Sequence, residues 1–247
     1  GAKALWIQGW QVTAYWQAVR EAKAAGVEVW LRAESNDLAP TPAWKRTVKQ
    51  VLLGELFKRI DRFLYIGTAN RRLYRSYGVP PSRLYPAPYA VDNERFARQA
   101  TALRTRRSDL RRAWGIADDA FCVLFCGKFI LKKRPMDLVD AAKILFRDDK
   151  SKKVHLLFVG SGELGSALRA ACRVVFDAEQ LGGNAAECPT TSMATSEIPP
   201  ASFAGFLNQT EISRAYVAAD CLVLPSDHGE TWGLVVNEAL ASGAPCI

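Results

Sequence analysis

The sequence predicts an α/β fold of two domains, each with a parallel β-sheet covered by helices on both sides. Short apolar runs alternate with amphipathic stretches through nearly the whole chain of 247 residues. Strand, helix and strand in repetition are typical of a parallel sheet. The alternation breaks between about residues 86 and 116, where prolines are followed by an Arg-rich polar stretch. This break predicts a boundary between two domains.

Six apolar runs are too short to be buried helices, so we predict them as strands. They are residues 4–8, 27–31, 62–66, 121–126, 154–159 and 221–224. Amphipathic periodicity between the runs predicts helices over residues 12–25, 44–60, 136–146, 165–176 and 211–219. The apolar face of the second helix consists of Trp44, Val48, Val51, Leu52 and Leu56.

The predicted domains are residues 1–95 and 117–247, and a polar linker helix over residues 96–116 joins them. A second interruption, residues 182–200, is rich in Gly, Thr, Ser and Pro and has few large apolar residues. Such a composition predicts a mobile surface insertion in the second domain.

Composition and charge exclude several classes of protein. An apolar share of 49% and a charged share of 23% exclude a disordered chain, a collagen-like repeat and a coiled coil. No apolar run approaches the roughly 18 residues of a membrane-spanning helix. The net charge of +8 is uneven, because residues 1–112 hold 21 basic and 9 acidic side chains whereas residues 113–247 hold 12 and 16.

The six cysteines form no Cys-x-x-Cys pair, and four of them lie in apolar, strand-like stretches. This is typical of reduced, buried cysteines, so we expect a cytoplasmic protein without disulfides. Only His155 and His228 could supplement them as ligands, so no metal site is predicted. The chain starts directly on a strand-like run without an initiator Met or a signal peptide, from which we expect a fragment.

The segment of residues 222–240 carries the most informative pattern. An apolar strand leads into a polar turn, and a helix is predicted to start near Gly233 and to end at Gly243. A helix start that faces the carboxyl end of a parallel strand binds anions, because its first N–H groups have no partner within the helix. Those groups belong here to Trp232, Gly233 and Leu234. Phosphate is the natural ligand.

Two carboxylates flank this helix start, Glu230 in the loop before it and Glu238 within its early turns. Carboxylates do not bind phosphate, so we expect them to accept hydrogen bonds from hydroxyls on either side of it. Hydroxyls on both sides of a diphosphate describe a nucleotide sugar. The alternative is that both are solvated charges, since acidic residues are common at helix starts.

A second loop places cations at another strand end. Gly127 follows the strand of residues 121–126, Lys128 leaves the strand tip, and Lys133 precedes the next helix. Both lysines can therefore reach one anion at the carboxyl edge of the sheet. A solvated Lys-rich loop is the alternative. A third loop, residues 159–163, has glycines where the backbone turns tightly or approaches a ligand.

With these motifs, residues 119–247 resemble the donor-binding domain of the retaining group 1 glycosyltransferases, which have the GT-B fold. The loop from Gly127 to Lys133 is similar to the family's basic loop, and residues 203–207 are similar to its nucleoside-contacting strand and turn. Glu230 and Glu238 resemble its signature pair of glutamates, preceded by Pro-Ser. The resemblance implies two Rossmann-like domains that face a cleft, the first incomplete and the second truncated at its C-terminal end.

The resemblance also implies roles for single residues. Lys128 and Lys133 would neutralise the leaving diphosphate, and Glu230 would bind hydroxyls of the donor sugar, so these three are the implied catalytic residues. Glu238 would bind the ribose. The implied donor-binding residues are Gly127, Phe206, Leu207, Thr231, Trp232, Gly233, Leu234 and Glu238.

The implied reaction moves a hexosyl group from a nucleotide-diphosphate sugar of UDP or GDP type to an acceptor hydroxyl. In this family the anomeric configuration is retained, and neither a metal nor another cofactor takes part. The absence of an Asp-x-Asp triplet agrees with that.

The first half resembles the later part of the family's acceptor domain more loosely, over residues 6–35, 63–76 and 86–96. Many relatives have a His after the strand equivalent to residues 27–31, and this chain does not. Glu34 in that loop is a candidate to face the acceptor, and a local ion pair with Arg32 is the alternative.

Two other functions stay open. One is a polyanion-binding or nucleic-acid-binding module, and the other is a nucleotide-binding fragment without turnover. The first is suggested by Arg104, Arg106, Arg107, Arg111 and Arg112. No nucleic-acid-binding motif accompanies these arginines, and the two glutamates would repel a polyanion, so we expect no nucleic-acid partner. The basic first half instead predicts an acidic or lipid-linked acceptor and a peripheral position at the inner face of an anionic membrane.

Overall fold

The computed structural model describes residues 1–36, 38, 42–149, 153–180, 198–227 and 230–247. The chain forms two compact units, Gly1–Ala90 and Val91–Ile247, which we call unit 1 and unit 2. Each contains one parallel sheet with helices packed on it. The predicted α/β class is therefore confirmed, but among the described residues the predicted cover on both faces of the sheet is present only in unit 2.

Unit 1 is built on a four-stranded sheet in the order β1-β2-β3-β4. Its elements are β1 (Ala4–Ile7), α1 (Thr13–Ala24), β2 (Glu28–Arg32), α2 (Ala43–Lys58), β3 (Arg62–Tyr65), α3 (Thr68–Ser76), a 3-10 turn (Pro81–Arg83) and β4 (Leu84–Pro86). Leu31 of β2 pairs with Phe63 of β3, and Phe63 pairs with Leu84 of β4. The core lies on the face that holds these side chains, where all three helices contribute to it.

The apolar face predicted for the second helix is wrong. Of its five residues only Leu56 is buried, and the side of α2 that packs on the sheet consists of Leu53, Leu56 and Phe57. Apolar residues occupy two sides of this helix, so periodicity alone does not decide which side faces the core.

Unit 2 is built on a five-stranded parallel sheet in the order β7-β8-β6-β5-β9. Its elements are α4 (Asn93–Arg104), α5 (Arg107–Ala113), β5 (Phe121–Cys126), a 3-10 turn (Leu131–Lys133), α6 (Pro135–Asp148), β6 (Val154–Val159), α7 (Gly165–Ala171), β7 (Arg173–Asp177), β8 (Pro200–Gly205), α8 (Ser213–Ala218), β9 (Cys221–Leu222) and α9 (Leu234–Ala241).

Unit 2 has a core on each face of its sheet. Leu124 and Leu157 belong to the cluster on one face, whereas their chain neighbours Phe125 and Phe158 belong to the cluster on the other. Alternation of this kind is what a strand covered on both faces requires.

Three parts of unit 2 differ from the prediction. The predicted linker, residues 96–116, lies within unit 2, because Phe96 and Leu110 of α4 and α5 are buried in its core. The helix predicted over residues 165–176 ends at Ala171, and the chain continues as the edge strand β7. Of the predicted insertion, residues 182–197 lie outside the described residues, and Pro200 begins β8.

Candidate functional site

The carboxyl ends of β5, β6, β8 and β9 lie along one edge of the unit 2 sheet, since all its strands are parallel. From β5 the chain passes to β6 on one side, and it returns much later to β9 on the other side. A parallel sheet has its binding crevice at such a reversal of strand order. The loops after β5 and β9 meet at this point.

The loop after β5 is shaped by backbone contacts. The N–H of Gly127 donates to the carbonyl of Val159 at 2.9 Å, which ties the end of β5 to the end of β6. Lys128 is exposed and forms no ion pair with a described residue. The chain then makes a 3-10 turn that ends at Lys133, and Arg134, with a φ of +49°, leads into α6.

The glycine loop after β6 packs against the basic loop. A Cβ on Gly160 would lie 2.1 Å from the carbonyl oxygen of Gly127, and one on Gly162 would lie 2.6 Å from the carbonyl oxygen of Phe129. The φ of Gly160 is +128°, a conformation that other residues rarely adopt. These glycines therefore allow the two loops to touch, and the tight approach is between backbone segments.

Glu230 is held in the crevice by the basic loop. Its Oε2 accepts a hydrogen bond from Lys133 Nζ and another from Ser226 Oγ at 3.3 Å. The Lys133 and Glu230 side chains are 17% and 21% exposed, so the ion pair is mostly shielded from water. The N–H of Asp227 also donates to the carbonyl of Lys132 at 3.0 Å, which fixes one loop on the other.

The charge state of Glu230 follows from these contacts. Burial alone would raise its pKa, but the hydrogen bond and positive charge of Lys133, together with the hydrogen bond of Ser226, outweigh the burial and lower the pKa. Glu230 is therefore a carboxylate at neutral pH, and Lys133 is its counter-ion before any ligand arrives.

Glu238 lies in the second turn of α9, and a buried tyrosine holds it. The hydroxyl of Tyr216, a residue that is 1% exposed, donates to Glu238 Oε2 at 2.7 Å. Burial raises the pKa of Tyr216, and the Glu238 carboxylate raises it further, so the hydroxyl remains a donor. Burial also raises the pKa of the neighbouring Cys126 thiol to about 12, so this cysteine is a neutral thiol.

Gly233 caps the start of α9, and the helix begins at Leu234 as expected. Its φ of +71° is left-handed, and a Cβ there would lie 3.0 Å from Cδ2 of Leu224. Thr231, Trp232 and Leu234 are half-buried around this helix start. The N–H of Val236 donates to the carbonyl of Gly233 at 2.9 Å, whereas the N–H groups of Leu234 and Val235 have no carbonyl one turn before them in the helix. Such a helix end can bind an anion.

Phe206 and Leu207 follow β8 at the same sheet edge. Phe206 is 80% exposed, whereas Leu207 packs on the core of unit 2. An exposed phenylalanine at the carboxyl edge offers a flat surface on which a base can stack.

The structure thus brings together Lys133 and Glu230, and the ends of four strands carry the other predicted site residues to one edge. Lys128 projects into solvent. Sequence reasoning missed Tyr216 and Ser226. The pattern of a buried residue in a short helix gives no signal that Tyr216 meets Glu238, which lies 22 residues further along the chain.

Other predicted groups take no part in this crevice. Arg32 stacks on the ring of Tyr89 at 4.1 Å and donates to the carbonyl of Ala87, while Glu34 is exposed and no ion pair joins it to Arg32. His155 is buried and bonded to Ser202 Oγ at 2.8 Å. Within the described ranges, no group of three or more His, Cys, Asp or Glu side chains is placed to hold a metal ion. His228 lies outside the described residues.

The described helices include none with the length and apolar character needed to cross a membrane. The described cysteines are free thiols: Cys122, Cys126, Cys172 and Cys221 are buried, and Cys246 is half-buried. Cys188 lies outside the described residues.

The family model and several known proteins that match this chain are those of glycosyltransferases. The family model for glycosyl transferases group 1 matches residues 106–247. A D-inositol 3-phosphate glycosyltransferase of Geodermatophilus obscurus is 31% identical over 178 residues, which are 72% of this chain and 35% of that protein. One from Nocardia farcinica is 30% identical over 211 residues, 85% of this chain and 41% of that protein. The matched part spans well under half the length of these relatives.

Solved structures share the fold. Anabaena Alr3699/HepE in complex with UDP and glucose has a TM-score of 0.62 and 15% identity, covering 99% of this chain and 58% of that chain. Trehalose-6-phosphate synthase OtsA has a TM-score of 0.65 and 12% identity, covering 96% of this chain and 54% of that chain. At these identities the likeness concerns the fold, and it confirms the predicted fold class.

Proposed function

The chain belongs to the group 1 glycosyltransferases, and on that basis we propose that unit 2 binds a nucleotide-diphosphate sugar at the carboxyl edge of its sheet. The diphosphate would lie at the start of α9, against Lys128 and Lys133. The observation that carries this proposal is the pair of Lys133 and Glu230, which joins positions 97 residues apart at the reversal of strand order. A cation for phosphate and a carboxylate for hydroxyls stand side by side there.

In the proposed reaction a hexosyl group passes to an acceptor hydroxyl with retention of configuration. The bond between the anomeric carbon and the diphosphate oxygen breaks, and negative charge grows on the leaving diphosphate. A bond forms between the same carbon and the acceptor oxygen, whose proton passes to the leaving diphosphate. Lys128, Lys133 and the first N–H groups of α9 would stabilise that charge, so the reaction would need no metal ion. Glu230 would hold sugar hydroxyls, and Glu238 would hold the ribose. The base would lie at Phe206 and Leu207.

We further propose that unit 1 serves the acceptor and that the acceptor is acidic or lipid-linked. Two relatives are named as enzymes that act on D-inositol 3-phosphate, a phosphorylated acceptor. Unit 1 is strongly basic, which suits an anion. The reduced cysteines of both sheet faces of unit 2 favour a cytoplasmic location.

A polyanion-binding module fits less well. Arg107 and Arg111 of the Arg-rich stretch turn inward and form ion pairs with Asp220 at 2.6 and 3.6 Å, and Arg104 donates to the carbonyl of Ser242. These guanidinium groups hold α4 and α5 to the rest of unit 2. A nucleotide-binding chain without turnover remains the second candidate, and product formation separates it from the first.

Calorimetric titration with UDP and GDP tests the proposal. We expect one nucleotide to bind, and Lys133→Ala to weaken that binding at least tenfold, because a charge-assisted contact to phosphate is lost. Lys153→Ala is the matched control, since Lys153 also pairs with a carboxylate, Asp119, but at the amino edge of the same sheet. The proposal fails if neither nucleotide binds or if both variants behave alike.

Glu230→Gln tests the sugar contact separately. The variant removes a negative charge beside the diphosphate, so we expect UDP to bind about fivefold more tightly. The corresponding UDP-sugar should lose that advantage, because the amide is a weaker acceptor for sugar hydroxyls. Equal changes for both ligands would show that Glu230 does not contact the sugar.

A further inference from the structure

The first three turns of α2 expose a continuous row of large apolar side chains. Trp44, Val48, Val51 and Leu52 are 66%, 51%, 64% and 54% exposed, and we call this row the α2 strip. Their successive spacings of four, three and one place them on one side of the helix. Folded monomers rarely expose contiguous apolar surface of this kind without a use for it.

The α2 strip faces away from the sheet. The helix packs on the core of unit 1 through Leu53, Leu56 and Phe57, which lie on the opposite side of its axis. A groove of about 320 Å³ beside the strip continues the apolar surface toward α1, where Trp10 and Trp16 line it. The row is therefore the outer surface of the helical layer of unit 1.

Cations border the α2 strip. Lys45, Arg46 and Lys49 are exposed in the same part of the helix, and Lys45 Nζ lies 5.3 Å from the ring centre of Trp44. Glu55 is the one acidic residue of α2, and it pairs with Lys58 in the last turn. The end of the helix that carries the strip is purely basic.

The charge of the whole unit has the same sign. Residues 1–90 hold 14 of the 33 basic and 6 of the 25 acidic side chains, a net charge of +8. The other 157 residues hold 19 of each and are neutral. All of the net charge of the chain therefore belongs to the unit that carries the α2 strip.

We propose that the α2 strip docks unit 1 on an anionic lipid bilayer. A helix with tryptophan and aliphatic residues on one side and lysines beside them lies in the interface of a membrane, with its apolar side among the acyl chains. Tryptophan prefers that boundary, and each lysine gains from anionic headgroups. The docking depends on unit 1 alone and does not rest on the proposed donor site.

Charge decides between a bilayer and a second copy of the chain. In a symmetric dimer built on this face, Lys45 and Lys49 of the two copies would meet across the interface, and two units of charge +8 would repel each other. An anionic bilayer attracts the same charges. It also accepts an apolar row on a convex helix, which a nucleic acid does not.

Flotation of the 247-residue chain with lipid vesicles tests the proposal. We expect binding to vesicles of equal parts phosphatidylglycerol and phosphatidylcholine, and little binding to phosphatidylcholine alone. Trp44→Ala should weaken the partition about tenfold. Lys45→Ala with Lys49→Ala should weaken it about 25-fold, since each charge near the surface contributes about fivefold.

Two control variants separate the strip from the rest of unit 1. Trp6→Ala removes another half-exposed tryptophan, and Arg72→Ala with Arg75→Ala removes two exposed cations of α3. We expect both control variants to bind vesicles nearly as strongly as the unaltered chain does. Losses equal to those of the strip variants would mean attraction by diffuse charge and would overturn the proposal.

Three further results would also overturn it: no binding to anionic vesicles, equal binding to neutral ones, or self-association in solution that Trp44→Ala abolishes. The strip variants change only exposed side chains, so unchanged thermal unfolding verifies that they fold. Their UDP affinity should equal that of the unaltered chain, and a missing affinity in all of them would count against the proposed function alone.

Discussion

Replacing Tyr216 by phenylalanine removes one oxygen atom from the core of unit 2. In the structure that oxygen donates to Glu238 at 2.7 Å from a ring that is 1% exposed. A hydrogen bond to a charged acceptor contributes about 1.5–3 kcal/mol, and the half-buried Glu238 regains part of that from water. We therefore expect a loss of about 1 kcal/mol in the free energy of unfolding and a Tm lower by about 3 °C.

The same substitution has a second effect if Glu238 binds ribose. Without Tyr216 the carboxylate has more rotamers in the free protein, and fixing a flexible side chain costs about 0.5–1.5 kcal/mol on binding. We expect UDP affinity to fall about fivefold in Tyr216→Phe. Inorganic diphosphate makes no ribose contact, so its affinity should not change. Calorimetric titration with both ligands gives the two numbers.

Tyr74→Phe in unit 1 is the matched control, because its buried hydroxyl accepts from the N–H of Ala33 at 3.2 Å and lies outside unit 2. It should lower stability without changing UDP affinity. The reasoning is refuted if Glu238→Ala weakens UDP binding and Tyr216→Phe does not. It is also refuted if Tyr216→Phe weakens diphosphate and UDP equally, since the change would then act on the whole crevice.

Three predictions concern the framework of unit 2. Burial lowers the pKa of His155 to about 4, below its unfolded value near 6.5, so the unfolded chain takes up a proton first as the pH falls. The free energy of unfolding should therefore fall by up to about 3 kcal/mol from pH 6.5 to pH 4. His155→Gln should remove this step from pH-dependent urea unfolding. Asp220→Asn should lower the free energy of unfolding in urea by about 3–5 kcal/mol, because it leaves the 2% exposed guanidinium of Arg111 without its counter-ion. A loss below about 1 kcal/mol would contradict this. Gly160→Ala should yield insoluble or unfolded protein, because its methyl group would lie 2.1 Å from the carbonyl oxygen of Gly127. A normal Tm would show that the loops after β5 and β6 separate easily.

Much of the fold could be predicted from the sequence because buried parallel strands are short apolar runs. All six predicted strands are present. The strands β4, β7 and β8 were missed or placed only by resemblance. In β7, residues 173–177, exposure alternates along an edge strand directly after α7, so the helical pattern appeared to continue. Which side of α2 packs on the sheet depends on the neighbouring helices, and local spacing does not contain that information.

For the site, the sequence indicated which loops meet, because the carboxyl ends of parallel strands share one edge. It did not indicate which side chains pair within that edge. The contact of Lys133 with Glu230 depends on β9 lying beside β5, although three strands intervene in the chain. Likewise, the partner of Glu238 is decided by how α8 and α9 both pack against α4. Whether these residues act as proposed stays a prediction for the binding experiments.

The division of charge between the units separates the two proposed interactions by their response to salt. Unit 2 has no net charge, so the field at the proposed donor crevice comes from local groups, Lys133, Lys128 and the start of α9, which we propose to lie within a few ångströms of the ligand. Charges at that distance in a partly buried crevice are screened weakly, whereas attraction of a +8 surface to a membrane acts over a Debye length of about 8–10 Å. Raising the salt concentration should therefore release the chain from anionic vesicles at concentrations where UDP still binds. Equal sensitivity of both would mean that the donor crevice depends on the charge of unit 1.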